Sequence, residues 1–232
     1  MSTVINRRDL DFLLYELFTV DELVRHPRFA AHDRDTFEQV IEAAHKLAEE
    51  KFLPFAAKLD QQPPSFDGTT VSIIPEVKEA LQAYIEGGFL ASGFPEAFGG
   101  LQMPYTVAQA AASIFTSANG GVTGYLMLTA GAANLLLAHG TPEQKEIYAR
   151  PLIEGRWFGT MCLSEPQAGS SLGDIKTKAL PQADGTYQIV GNKMWISGGE
   201  HELTENIVHM VLARVEGAPA GVKGISLFVV PK

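Results

Sequence analysis

From Ala97 to Pro142 the chain carries no Asp, Glu, Lys or Arg. An uncharged run of this kind lies in a membrane or is covered by protein. A bilayer-spanning helix needs about 20 predominantly apolar residues without interruption. Here Gly99-Gly100, Pro104, Asn119-Gly120-Gly121 and Asn134 break the run. The expectation is two helices buried on nearly all sides, and no membrane span.

The flanking sequence also reads as helix. Leu10, Leu13, Leu14, Leu17 and Phe18 recur at helical spacing. Asp35-Thr-Phe-Glu38 resembles a capping box, and the stripe Phe37, Val40, Ile41, Ala44, Leu47, Ala48 and Phe52 follows it. Pro54 is placed to kink that helix and Pro63-Pro64 to end it. Pro75 suits a first helical turn, Gly87-Gly88 a helix end, and Pro104 the start of the next helix. Gly121 to Ala138 reads as a helix rich in small residues. Thr141-Pro-Glu-Gln144 is a second capping box, leading into a helix expected to stop before Pro151.

After Gly155 the texture changes. Phe158 to Leu163, Ile175 to Ala179, Thr186 to Val190, Met194 to Ile196, Ile207 to Val215 and Ile225 to Val230 are β-rich runs, separated by Gly, Asn, Asp and Pro clusters. The expected fold is α+β. An all-α helical bundle would occupy residues 1–155. A mostly antiparallel β-barrel or sandwich would occupy residues 156–232. A strand at Val230 would leave an open edge unless more chain follows, so further sequence is expected beyond Lys232.

Composition narrows the partners. The net charge of −9 over 232 residues, with no Lys/Arg block, argues against nucleic acid. The single cysteine, Cys162, permits no internal disulfide and fits a reducing, cytoplasmic setting. Arg7, Arg8 and Asp9 stand where a signal peptide would carry an apolar segment.

Two segments could carry chemistry. Ser164 and Glu165 follow a strand and open a proline-led loop of small residues, which lets backbone N–H groups approach an anion or a flat ring. Lys193-Met-Trp-Ile-Ser197 sets an aromatic and a hydroxyl two apart; on a strand they would share a face. Gly169-Ser-Ser-Leu-Gly173 fits the nucleophile-elbow pattern, with Ser171 as nucleophile. An elbow needs a strand immediately before and a helix immediately after, and the sequence offers neither. His201 and His209, with Glu202 and Glu205, lack metal-ligand spacing and read as solvated loop residues.

Taken together, these segments resemble the acyl-CoA dehydrogenase family. Cys162-Leu-Ser-Glu-Pro-Gln-Ala-Gly-Ser-Ser171 follows the family's first signature, except that Ser171 stands where the family has Asp. Lys193-Met-Trp-Ile-Ser197 follows its second flavin segment. Phe94-Pro-Glu-Ala-Phe-Gly-Gly100 looks like its helix-to-loop passage, and His139-Gly-Thr-Pro-Glu-Gln-Lys145 like its usual sequence before the β-domain. His201 to His209 and Gly224 to Lys232 look like the 3-methylmercaptopropionyl-CoA dehydrogenase-like branch.

The resemblance implies an FAD-dependent oxidoreductase of fatty acid metabolism. It would form an α,β double bond in an acyl-CoA and pass electrons to an electron-transfer flavoprotein. Such enzymes are homo-oligomers. Met161, Leu163, Ser164, Gly169, Ser170, Trp195, Ile196 and Ser197 would contact the flavin, and Ser170 also the acyl-CoA. No metal is implied. The catalytic base would come from a C-terminal helical domain absent from these residues, Glu165 being structural, so this chain alone would be inactive. Two other readings stay open at this point: a non-catalytic binding or dimerisation module, and a serine hydrolase using Ser171.

Overall fold

The structure, a computed structural model, describes residues 4–232. Met1–Thr3, which belong to the N-terminal stretch judged above for a signal peptide, lie outside the described residues.

The helical elements run α1 (Arg7–Asp11), α2 (Arg34–Leu47), α3 (Ala56–Gln61), α4 (Pro75–Glu86), α5 (Tyr105–His139), α6 (Pro142–Gln144) and α7 (Arg150–Ile153). A two-stranded hairpin, β1 (Ser65–Phe66) with β2 (Val71–Ser72), interrupts them. The strands β3 (Trp157–Cys162), β4 (Lys178–Pro181), β5 (Tyr187–Val190), β6 (Asn206–Val215) and β7 (Ile225–Pro231) form one sheet.

Several helix boundaries differ from the sequence reading. α2 is capped by Asp33, not Asp35: its carboxylate accepts from Thr36 N at 2.7 Å. The expected stop before Pro151 does not occur, since α7 carries Pro151 and runs to Ile153. Proline lacks an N–H and its ring crowds the preceding turn. A wide π turn over Lys145–Ala149 precedes Pro151, as another over Ala48–Phe52 precedes Pro54. Both prolines are accommodated by local widening of the helix. The capping box at Thr141 forms as read: Gln144 N donates to Thr141 Oγ1 at 3.2 Å and Thr141 N to Gln144 Oε1 at 3.0 Å.

The uncharged run forms α5, broken at Asn119 (φ −159°, ψ 86°). Asn119 is buried and its amide donates to Phe52 O at 3.2 Å. α5 is long and apolar enough to cross a membrane by length and composition alone. The expected near-complete burial is not met: 33% of its most apolar window is buried, and Tyr105 and Met127 are exposed.

The chain divides into two compact units. One reaches Met127 and includes Ile153–Gly155 and His201–Leu203; the other comprises Leu128–Leu152, Arg156–Glu200 and Thr204–Lys232. The core of the first centres on Phe115. Its ring meets Phe52 at 4.9 Å, Tyr84 at 4.7 Å and Phe89 at 4.9 Å, all edge to face. This is the geometry that aromatic quadrupoles favour.

In the second unit the expected β-domain is present, and its sheet is mixed where a mostly antiparallel one was expected. β6 is its spine. β3 and β4 run parallel to it, pairing with residues 206–211 and 214–215, while β7 lies antiparallel along its other side. β5 adds antiparallel to β4. The runs were expected to pair mostly antiparallel, but the segment between β3 and β6 is long enough for a crossover, so strands close in sequence are not all neighbours. α5 packs on β3 at Gly159, whose N–H donates to Thr129 Oγ1 at 3.1 Å. A side chain there would meet Ala132 Cβ at 2.6 Å, so only glycine allows this approach.

Candidate functional site

The second unit contains both candidate segments. β3 carries half-buried Met161 and buried Cys162 to the edge of the sheet, and the chain leaves the strand at Leu163. Leu163 and Ser164 are half-buried. Glu165 and Ala168 then close a tight turn, with Glu165 N to Ala168 O at 2.8 Å and the return bond at 3.1 Å. Gly169 has open space where a side chain would stand, and Ser170 and Ser171 are exposed. Only a single 3-10 turn, Leu172–Asp174, follows. Ser171 therefore lacks both the strand before it and the helix after it that an elbow requires, and the hydrolase reading fails on geometry.

The second segment reaches the first through the main chain. Met194 N donates to Ser164 O at 3.1 Å. Lys193 Nζ donates to Leu163 O at 3.0 Å and to Glu165 Oε1 at 2.9 Å. Lys193–Ser197 is nevertheless not a strand, contrary to the sequence reading. Trp195 has φ 57°, the left-handed region, so Trp195 and Ser197 do not share a face by strand alternation. The Met194 N–H is spent on Ser164 rather than on a sheet neighbour, and the backbone turns there. Trp195 is 78% exposed, Ile196 half-buried and Ser197 exposed. A bulky residue held at positive φ with its ring in solvent stores of order 1–3 kcal/mol, a cost found typically at ligand sites.

Glu165 is the most constrained group of the site, 3% exposed. Burial alone would push its carboxyl up. Donation from Lys176 N at 2.7 Å, Thr177 N at 3.1 Å, Gln167 Nε2 at 2.7 Å and Lys193 outweighs that and holds it at about 2. A carboxylate so engaged is a poor proton acceptor near neutrality. Cys162 is different: burial pushes its thiol up and leaves it un-ionised.

The histidines are not solvated loop residues, which corrects the sequence reading. His201 is buried, its ring 5.6 Å from Tyr125. His209 lies on β6, half-buried, with Nδ1 2.7 Å from Thr160 Oγ1. Burial pushes its imidazole down. Among the described residues no group of three or more His, Cys, Asp or Glu is placed to hold a metal.

The sequence reading did not single out Lys193 or Arg214. Arg214 donates to Gly173 O at 3.2 Å, Gly221 O at 2.8 Å and Pro219 O, tying the serine-loop turn to the loop before β7. A signal for the first existed: Glu165 is the lone charge between Arg156 and Asp174, and Lys193 the lone charge between Asp184 and Glu200. Opposite single charges in uncharged surroundings are candidates for a buried pair.

A flat ring system fits what these residues offer. The exposed indole adjoins the paired main chains, and Gly169 leaves space open. Among the described residues the hydroxyls of Ser164, Ser170 and Ser197 have no protein partner.

Comparison with known proteins identifies the family. Residues 34–156 match the acyl-CoA dehydrogenase N-terminal domain and residues 160–232 the acyl-CoA dehydrogenase middle domain. The chain belongs to the acyl-CoA dehydrogenase family. It is 37% identical over 225 residues to 3-methylmercaptopropionyl-CoA dehydrogenase of Ruegeria pomeroyi, covering 97% of this chain and 38% of the relative. It is 41% identical over 230 residues to the broad-specificity linear acyl-CoA dehydrogenase FadE5 of Mycobacterium tuberculosis, covering 98% and 37%. The chain thus spans less than two-fifths of these relatives' length. Among solved structures, an acyl-CoA dehydrogenase complexed with FAD from Bacillus anthracis matches with TM-score 0.68 and 25% identity, over 84% of this chain and 31% of that one. Butyryl-CoA dehydrogenase from Megasphaera elsdenii shares the fold, with TM-score 0.68, 24% identity and 86% and 49% coverage.

Proposed function

We propose that this chain is the portion of an FAD-dependent acyl-CoA dehydrogenase that forms one wall of the flavin site. The observation that carries the reading is exposed Trp195 beside two stretches bonded through Met194 N and Ser164 O. When bound, FAD supplies the acceptor for the hydride that leaves the acyl β-carbon. The chain's own part is binding and orientation. Ser164 and Ser197 would offer hydroxyls to the ring, Met161, Leu163, Ile196 and Trp195 would help hold it, and Gly169 and Ser170 would hold the phosphates, Ser170 also contacting the acyl-CoA.

Glu165 is not the base. The base belongs to residues outside this chain, so the chain alone has no dehydrogenase activity. Electrons pass to an electron-transfer flavoprotein. The whole protein is a cytoplasmic homo-oligomer. The test is dye-coupled acyl-CoA oxidation. Activity is expected from the whole protein that carries this chain and absent from the purified 232-residue chain. Turnover by the isolated chain would place a base within it and contradict the assignment.

A further inference from the structure

We infer that Lys193 and Glu165 are a positioning pair that sets the spacing of the flavin wall, an inference that rests on the flavin reading above. The two side chains are 12% and 3% exposed, so both charges are largely withdrawn from water. Such a pair gives little net stability compared with an apolar replacement. Its value lies in what it fixes. Lys193 Nζ bonds Leu163 O and Glu165 Oε1, the residues on either side of Ser164, while the next amide, Met194 N, bonds Ser164 O. Two consecutive residues of one stretch thus grip three consecutive residues of the other.

Glu165 extends the grip. Its Oε2 accepts from Lys176 N and Gln167 Nε2, and its Oε1 from Thr177 N as well as Lys193. Every neighbour is a donor. A glutamine at this position would turn an amide NH2 toward one of these donor pairs. The pair therefore joins three places: the end of β3, the approach to β4, and the segment leading to Trp195. Trp195 follows the gripped dipeptide directly and holds its positive φ there. With the grip released, the backbone relaxes to φ below zero and the indole leaves the wall.

The experiment compares the 232-residue chain with Lys193→Met, Lys193→Arg and Glu165→Gln, by two readouts. The first needs no flavin: amide hydrogen exchange at Met194, with Met210 on β6 as internal reference. Exchange at Met194 is expected to rise at least tenfold in Lys193→Met and Glu165→Gln. Met210 exchanges faster only by the factor that the lost global stability sets and stays protected, while Lys193→Arg, which keeps two donors, restores most of the protection at Met194. The second readout is FAD affinity by flavin fluorescence, expected to fall at least tenfold in the same two variants and to recover in Lys193→Arg.

Unchanged Met194 exchange in Lys193→Met overturns the pair as a positioning device. Exchange at Met194 that rises by the same factor as exchange at Met210 overturns it too, because the two amides would then share one global opening and the role would be general stability. Faster Met194 exchange with unchanged FAD affinity shows that the spacing it sets is not that of a flavin wall. A parent chain that takes up no FAD contradicts the flavin reading itself, and exchange at Met194 then decides the pair alone.

Discussion

Replacing Glu165 by Gln should lower stability by an amount that depends on pH in a defined direction. The folded carboxyl is held at about 2 against an ordinary 4.5. A depressed carboxyl contributes stability in full above the unfolded value, and that contribution fades as pH falls toward the folded one. At about 1.4 kcal/mol per pH unit, the depression corresponds to about 3 kcal/mol at pH 7. Breaking a buried ion pair on one side typically costs about 3–5 kcal/mol, because Lys193 is left charged without its partner. The wild-type minus Glu165→Gln difference in urea unfolding should therefore be of that order at pH 7. It should narrow by about 2 kcal/mol by pH 3, where the wild-type carboxyl has lost most of its advantage. Other carboxylates titrate equally in both proteins and cancel in the difference. A gap that stays constant from pH 7 to pH 3 would refute the claim that Glu165 is ionised and saturated with donors in the folded chain.

Other outcomes follow from the same structure. Gly159→Ala forces a methyl to within 2.6 Å of Ala132 Cβ and should cost about 1–3 kcal/mol by thermal unfolding, while Gly169→Ala, facing open space, should cost under about 1 kcal/mol. Phe115→Ala removes the ring shared by three edge-to-face pairs and should cost about 3–5 kcal/mol in denaturant unfolding. Trp195→Gly should change stability by less than about 1 kcal/mol, since relief of positive φ offsets the added chain entropy, yet it should lower FAD affinity at least several-fold. Arg214→Leu leaves the carbonyls of Gly173 and Gly221 without their donor and should cost about 1–3 kcal/mol, measured by urea unfolding.

The helical half was legible because its signals are local. Proline, glycine and capping residues marked where helices begin and end, and the stripe from Phe37 to Phe52 follows a period that only a helix uses. Errors arose where a local rule met a non-local remedy. Pro151 looked like a stop, but a π turn let the helix pass it. Asp35 looked like a cap, but Asp33 was equally good and lay at the true start. Strand existence was legible in the β-half except at Met194–Ile196, which turns instead of extending, whereas strand direction was not, because alternation fixes a face and says nothing about a neighbour's polarity.

Within the candidate site, the two segments were identified by resemblance, and their meeting is visible only in three dimensions, through Met194, Ser164, Lys193 and Leu163. The left-handed turn at Trp195 had no sequence signal, since tryptophan is among the residues least suited to it.

The most direct test of the flavin wall is a titration of the isotope-labelled chain with FAD, following backbone amides and the two tryptophan indole N–H resonances. The account predicts that the Trp195 indole and the amides of Ser164, Gly169, Ser170 and Ser197 shift together with one binding curve, while the Trp157 indole, on β3, stays in place. Shifts confined to other residues, or none in the Trp195 and Ser164 group at millimolar FAD, would contradict it.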